Sequence, residues 1–202
     1  MEITYLHGPA PLYTNSYIAL DGEGAAVVID PAAGAGQYRE ILEKKGAKLA
    51  AIMLTHGHYD HVGAVRALRR ETGAPVYLGR GDAAGSEIFP LGEQDVDGWY
   101  ADGETLAFGG MRFAVTATPG HSQGCVCLLC GDVLFTGDTL FAGDIGRTDL
   151  AGGSMADMRK SLAKLAALAG AQPDVQVLPG HGPFSTLGDE AQSNPYLMAA
   201  RG

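Results

Sequence analysis

The 202-residue sequence has few cysteines, few basic residues and no long apolar run. Each shortage excludes something. The only cysteines are Cys125, Cys127 and Cys130, an odd number inside one short segment. That is not a disulfide framework, so a reducing, cytoplasmic compartment is expected. Lys and Arg total 14 against 23 Asp and Glu, a net charge of −9, and basic runs never exceed Lys44-Lys45 or Arg69-Arg70. Nucleic acid, which needs a cationic face, is not an expected partner. No window approaches the roughly 18 apolar residues that cross a bilayer, so no membrane partner is expected. Met1 to Gly8 lacks the basic and apolar segments of a signal peptide.

Glycine is abundant, 30 residues scattered along the chain. Scatter argues for tight turns and close backbone approaches rather than a low-complexity segment. The length suits one domain, taken as residues 1–202.

Short apolar runs alternate with helical patterns. Ser16–Leu20 and Ala25–Ile29 read as paired strands around Asp21-Gly22-Glu23-Gly24. Tyr38, Ile41 and Leu42 mark a helix that Gly46 ends. Leu49–Leu54 is a continuous apolar run, as in a strand buried on both faces. Val62, Val65 and Leu68 mark a helix ending at Gly73. The second half repeats this grammar. Thr105–Phe108 and Met111–Ala117 form a hairpin around Gly109-Gly110, and Val126–Leu129 pairs with Val133–Thr136. Ser154 caps a long helix with Met155, Met158, Leu162, Leu165 and Leu168 as its buried face, and Val175–Leu178 is a last strand. Strand pairs with helices outside suggest two packed sheets flanked by helices. Residues 79–103 carry the weakest pattern and suit a short helix and a loop near a site mouth.

Residues 55–61 read Thr-His-Gly-His-Tyr-Asp-His and hold three of the six histidines. Residues i and i+2 of an extended chain point the same way, so His56 and His58 can grip one ion together. Asp60 and His61 follow as the chain turns, placed to face a second ion. Imidazole with carboxylate suits Zn²⁺, Fe or Mn²⁺. Asp60 alone also reads as the N-cap of the following helix. His121, Asp138 and His181 each sit in a glycine-containing turn at the exit of an apolar strand, where loops carry function. His7 has no such context. The cysteines lie in an apolar strand and read as core, as do Met155 and Met158.

With these residues in place, the chain resembles the metallo-β-lactamase superfamily, whose signature is His-x-His-x-Asp-His followed by a distant His, Asp and His. Thr136-Gly137-Asp138-Thr139-Leu140-Phe141-Ala142-Gly143, continuing to Gly146-Arg147-Thr148-Asp149, is similar to its glyoxalase II-like (hydroxyacylglutathione hydrolase) branch. The resemblance spans about Tyr13 to Tyr196. It implies an α/β fold, a four-layer αββα sandwich. It also implies two divalent metal ions, Zn before Fe or Mn. His56, His58 and His121 would hold the first, Asp60, His61 and His181 the second, and Asp138 would bridge them. Asp60 and Asp138 are then the candidate catalytic carboxylates. The implied activity is hydrolysis of a small-molecule thiolester by a metal-generated hydroxide. The alternative is a persulfide dioxygenase with a single iron on His56, His121 and Asp138.

The long glyoxalase II form adds a C-terminal helical domain and aromatic residues after its last histidine. Here Gly182-Pro183-Phe184 follows His181, Asp149 replaces an aromatic residue, and the sequence ends 21 residues after His181. The match is therefore expected to the short form, with glutathione in doubt as the carrier. Arg147 is the candidate substrate-binding residue, an anion anchor or else the partner of Asp144 or Asp149. Tyr59 either lines the pocket or packs behind it.

Overall fold

The computed structural model describes residues 1–200. Two six-stranded sheets face each other. The first comprises β1 (Glu2–His7), β2 (Asn15–Leu20), β3 (Ala25–Ile29), β4 (Lys48–Met53), β5 (Val76–Leu78) and β6 (Gly98–Trp99), in that spatial order. The second runs β14 (Ser185–Thr186), β13 (Gln176–Pro179), β10 (Val133–Gly137), β9 (Val126–Cys130), β8 (Met111–Ala117) and β7 (Thr105–Phe108). A small antiparallel pair, β11 (Leu140–Phe141) and β12 (Asp144–Ile145), lies beside the second sheet. Helices α1 (Ala35–Lys45) and α2 (Val65–Thr72) cover the first sheet. Helices α3 (Met155–Ala171), α4 (Leu187–Ser193) and α5 (Pro195–Ala199) cover the second.

The alternation of strand side chains builds this αββα arrangement. On β2, Tyr17 and Ala19 point between the sheets, while Ile18 and Leu20 point at α1 and α2. On β3, Val27 and Ile29 face the partner sheet, and Ala26 and Val28 face the helices. On β10, Val133 and Phe135 enter the inter-sheet core, and Leu134 packs under α3. The central strands are thus apolar on both faces, and their sequences run without polar interruption. Each fully buried Leu, Ile or Phe contributes about 1.5–3 kcal/mol.

Two sequence expectations are corrected, and one strand was not expected. The helix after His61 starts at Val65, with Ala64 rather than Asp60 at its N-cap; His61 lies in a turn and Val62 in irregular chain before it. Met155 is 38% exposed, because it occupies the first position of α3, ahead of the turn that reaches the sheet; burial begins at Met158. The first strand, Glu2–His7, has no counterpart in the sequence reading. It is an edge strand with only partial burial, so its apolar residues do not alternate cleanly. Ser154 does cap α3, accepting a hydrogen bond from the Asp157 amide at 3.2 Å. All three cysteines are free and buried; Cys127 packs under α3, and Cys130 joins the inter-sheet core.

Candidate metal centre

β8 and β10 each run antiparallel to β9, and β13 runs parallel to β10. The C-terminal ends of β8, β10 and β13 therefore share one rim, and the loops leaving it carry His121, Asp138 and His181. The loop after β4 brings His56, His58, Asp60 and His61 to the same rim from the other sheet. Backbone hydrogen bonds join the sheets there: Val126 N–H to Thr55 O at 2.8 Å, and Asn15 N–H to Gly180 O at 2.7 Å. The Asn15 side chain also donates to Pro179 O and Gly182 O, and the Tyr17 hydroxyl to Pro179 O.

Every residue of the expected set arrives in one place. His56, His58 and His121 offer ligand atoms within 4.8 Å of one another, and so do Asp60, His61 and His181. Asp138 stands between the groups. Its Oδ2 lies 3.3 Å from His121 Nε2 and 3.6 Å from His181 Nε2, and its Oδ1 lies 3.5 Å from His61 Nε2. Gly180 makes that approach possible: a Cβ there would run into Asp138 Oδ1 and sit 2.6 Å from His61 Cε1.

Four of the rings are aimed by their Nδ1 atoms. His56 Nδ1 meets Thr55 Oγ1 at 3.2 Å, and His61 Nδ1 meets Asp30 Oδ2 at 3.1 Å. His121 Nδ1 meets Arg147 O at 2.8 Å, and His181 Nδ1 meets Leu12 O at 3.2 Å. Each ring thereby turns its Nε2 to the centre, as metal-binding imidazoles do. His58 is reversed, with Nδ1 2.8 Å from His121 Nε2 and its ring stacked on Phe89.

These residues fit a pair of cations. The Nε2 atoms of His56 and His61 and Asp138 Oδ1, all on the side of the centre, are buried without a hydrogen-bond partner. Such orphans cost about 1–3 kcal/mol each unless something else satisfies them. Burial, reinforced by the neighbouring rings, holds His56 well below its ordinary pKa; burial and His121 push His58 down to about 4. Neutral imidazoles are the form a metal takes. Burial also opposes charge on His61, but Asp138, Asp30 and Asp60 outweigh it and raise the ring to about 9. Burial likewise disfavours the Asp60 carboxylate, yet the His181 hydrogen bond, His61 and Thr14 hold it well below the usual carboxylate range.

The sequence reading missed the supports. Asp30, 1% exposed, accepts from Thr55 N–H at 2.7 Å and Thr55 Oγ1 at 2.6 Å besides bonding His61. Asp82, fully buried, accepts from Gly57 N–H at 2.9 Å, Ser122 Oγ at 2.6 Å and Gly124 N–H at 2.7 Å. It thus ties the His56-Gly57-His58 loop to the His121-Ser122 loop from within the 79–103 segment. Thr14 Oγ1 donates to Asp60 Oδ2 at 2.7 Å.

The centre opens into a cleft of about 520 Å³ that Tyr59, Ile88, Phe141 and Arg147 help line. Arg147 forks onto Asp149 at 2.7 and 2.8 Å, the pairing considered from the sequence, while keeping its place at the cleft. Cys125 lies just behind, its thiol engaged by Ser122 and pushed up by burial, so it is no nucleophile.

Two facing sheets under helices, with this rim of histidines and aspartates, define a metal-dependent hydrolase. The chain belongs to the metallo-beta-lactamase superfamily, whose family model matches residues 9–181. It is 33% identical over 198 residues to the hydroxyacylglutathione hydrolase GloC of Haemophilus influenzae, covering 91% of this chain and 92% of that one. Its fold matches the crystal structure of the B3 metallo-beta-lactamase BLEG-1 with a TM-score of 0.85, at 32% identity over 97% of this chain and 99% of the other. It matches TTHA1623, crystallised in a di-iron-bound form, with a TM-score of 0.81, at 35% identity over 96% and 100%.

Proposed function

We propose that this hydrolase cleaves a thiolester, with His56, His58 and His121 holding one divalent ion, Asp60, His61 and His181 a second, and Asp138 touching both. Zn²⁺ is the ion we assign, and Fe or Mn suit the same donors. When bound, the pair supplies hydroxide near neutral pH and polarises the scissile carbonyl. The observation that carries this reading is the position of Asp138, whose Oδ2 lies between His121 of one group and His181 of the other while its Oδ1 faces His61.

The protein's own part is positioning. Leu12 O, Arg147 O, Asp30 and Thr55 fix the imidazole tautomers, and Thr14 fixes Asp60. Asp60 and Asp138 are the carboxylates at the cleft and serve as its proton-accepting groups. A thiolate, with a pKa of about 8.5, departs without a strong acid, and an amine does not. Thiolester cleavage therefore suits a centre built from ligands. The GloC likeness supports the same class, and three buried free thiols suit a cytoplasmic setting.

The test assays S-lactoylglutathione and glutathione persulfide side by side, with and without oxygen, together with metal analysis. Thiolester cleavage that persists without oxygen is expected. Oxygen uptake with persulfide, one iron per chain and no thiolester cleavage would overturn the reading in favour of a dioxygenase.

A further inference from the structure

The cleft in front of the centre is apolar. Leu12, Tyr59, Ile88, Phe141, Ile145 and Leu150 line it, and they come from four separate segments of the chain. Leu12, Tyr59 and Ile88 are 43%, 56% and 40% exposed. Large apolar side chains that converge on one opening at that exposure mark a binding surface.

Its fixed charge is also informative. Among the described residues lining the cleft, Arg147 is the only Lys or Arg. Its guanidinium is already forked onto Asp149, and both side chains lie in solvent, at 63% and 70% exposure. A ligand carboxylate that took Arg147 would have to displace Asp149 and then remain beside it. A glutathione arm carries two carboxylates, and this wall offers them one cation, already paired with Asp149.

We propose that the substrate is a thiolester whose arm beyond the reacting group is apolar and uncharged, held by Leu12, Tyr59, Ile88 and Leu150. This rests on the thiolester reading and narrows it. The apolar arm belongs either to the acyl group or to the thiol, and the two chemistries are separable by assay.

The metal-replete enzyme is given two series of neutral thiolesters: acetyl, butyryl and hexanoyl esters of N-acetylcysteamine, and acetyl esters of ethanethiol, butanethiol and hexanethiol. A buried methylene is worth up to about fourfold. In one series kcat/KM should rise by at least about tenfold from the shortest to the longest member, and which series rises identifies the side of the arm. Ile88→Asp, a change at an exposed position, should flatten that slope. A readout independent of turnover is calorimetry with the thioethers S-hexyl-N-acetylcysteamine and S-hexylglutathione. The neutral one should bind at least as tightly, with a negative heat-capacity change. Two flat series on an active enzyme overturn the apolar arm and leave the thiolester reading standing. So does S-lactoylglutathione outpacing every neutral ester, with that advantage lost in Arg147→Gln. If no thiolester is cleaved at all, the thiolester reading fails and this proposal fails with it.

Discussion

The two halves of the centre are built differently. His56, His58 and His121 are all buried, and behind them Asp82 ties their loops together. Asp60 and His181 keep 15% and 27% of their side chains in solvent, and a carboxylate replaces one ring. The inner group is a product of the core, and burial keeps His56 and His58 neutral near pH 7. The outer group reaches the lip at Asp60 and His181, with His61 buried behind them, and carries charge. On the proposed assignment a single carboxylate, Asp138, serves a buried group and a more exposed one at once.

The largest expected effect comes from removing that shared residue. Asp138→Ala should cut the content of both ions, read by elemental analysis of purified protein. Two filled sites in that variant would remove Asp138 from its bridging place.

The supports should separate the halves. Asp82→Ala strands Gly57 N–H, Gly124 N–H and the Ser122 hydroxyl in the interior, at a cost of about 1–3 kcal/mol each. Inner-group affinity should fall by about 10- to 100-fold and the outer group should change less. Asp30→Asn keeps one acceptor for Thr55 but removes the negative charge that faces His61 Nδ1, so the loss should move to the outer group. Metal competition titrations on both variants decide it; equal losses at both sites in each would erase the distinction.

pH should sharpen it next. His61 stands near 9, so an ion taking its Nε2 displaces a proton, and outer-group affinity should rise with pH by up to about tenfold per unit below that value. His56 and His58, already neutral at pH 7, add no such competition, and the inner group should respond less steeply. Titrations at pH 6, 7 and 8 with identical slopes would contradict this.

The smallest effect is expected at the thiols. Replacing Cys127 and Cys130 by Ala should cost on the order of 1 kcal/mol each in denaturant unfolding, with metal content unchanged. Loss of an ion would show the thiols to be ligands after all.

The metal-type residues were legible because the chemistry is local or punctuated. His56, His58, Asp60 and His61 crowd into one window, and His121, Asp138 and His181 each close an apolar strand. The layers were legible because central strands apolar on both faces leave an unbroken pattern. The supports were not. Asp30, Asp82 and Thr14 are isolated polar residues in turns, and only the fold reveals that they are buried and what they hold. Phe89, stacked on His58, lies in the segment with the weakest periodicity, where short 3₁₀ turns leave no repeating signal.

The sheet-to-sheet stitch at the rim has a consequence for biosynthesis. Each half of the centre combines donors close in sequence with one far away: His56 and His58 wait for His121, and Asp60 and His61 wait for His181. The Asn15 N–H to Gly180 O bond, which holds the His181 loop, closes only when β13 docks. On the proposed assignment, a growing chain carries a local cluster of donors by residue 61 and completes both groups only after the second sheet is in register. Ion retention then records that the whole sandwich has closed, and refolding in a metal-chelating buffer would separate closure of the fold from capture of the ions.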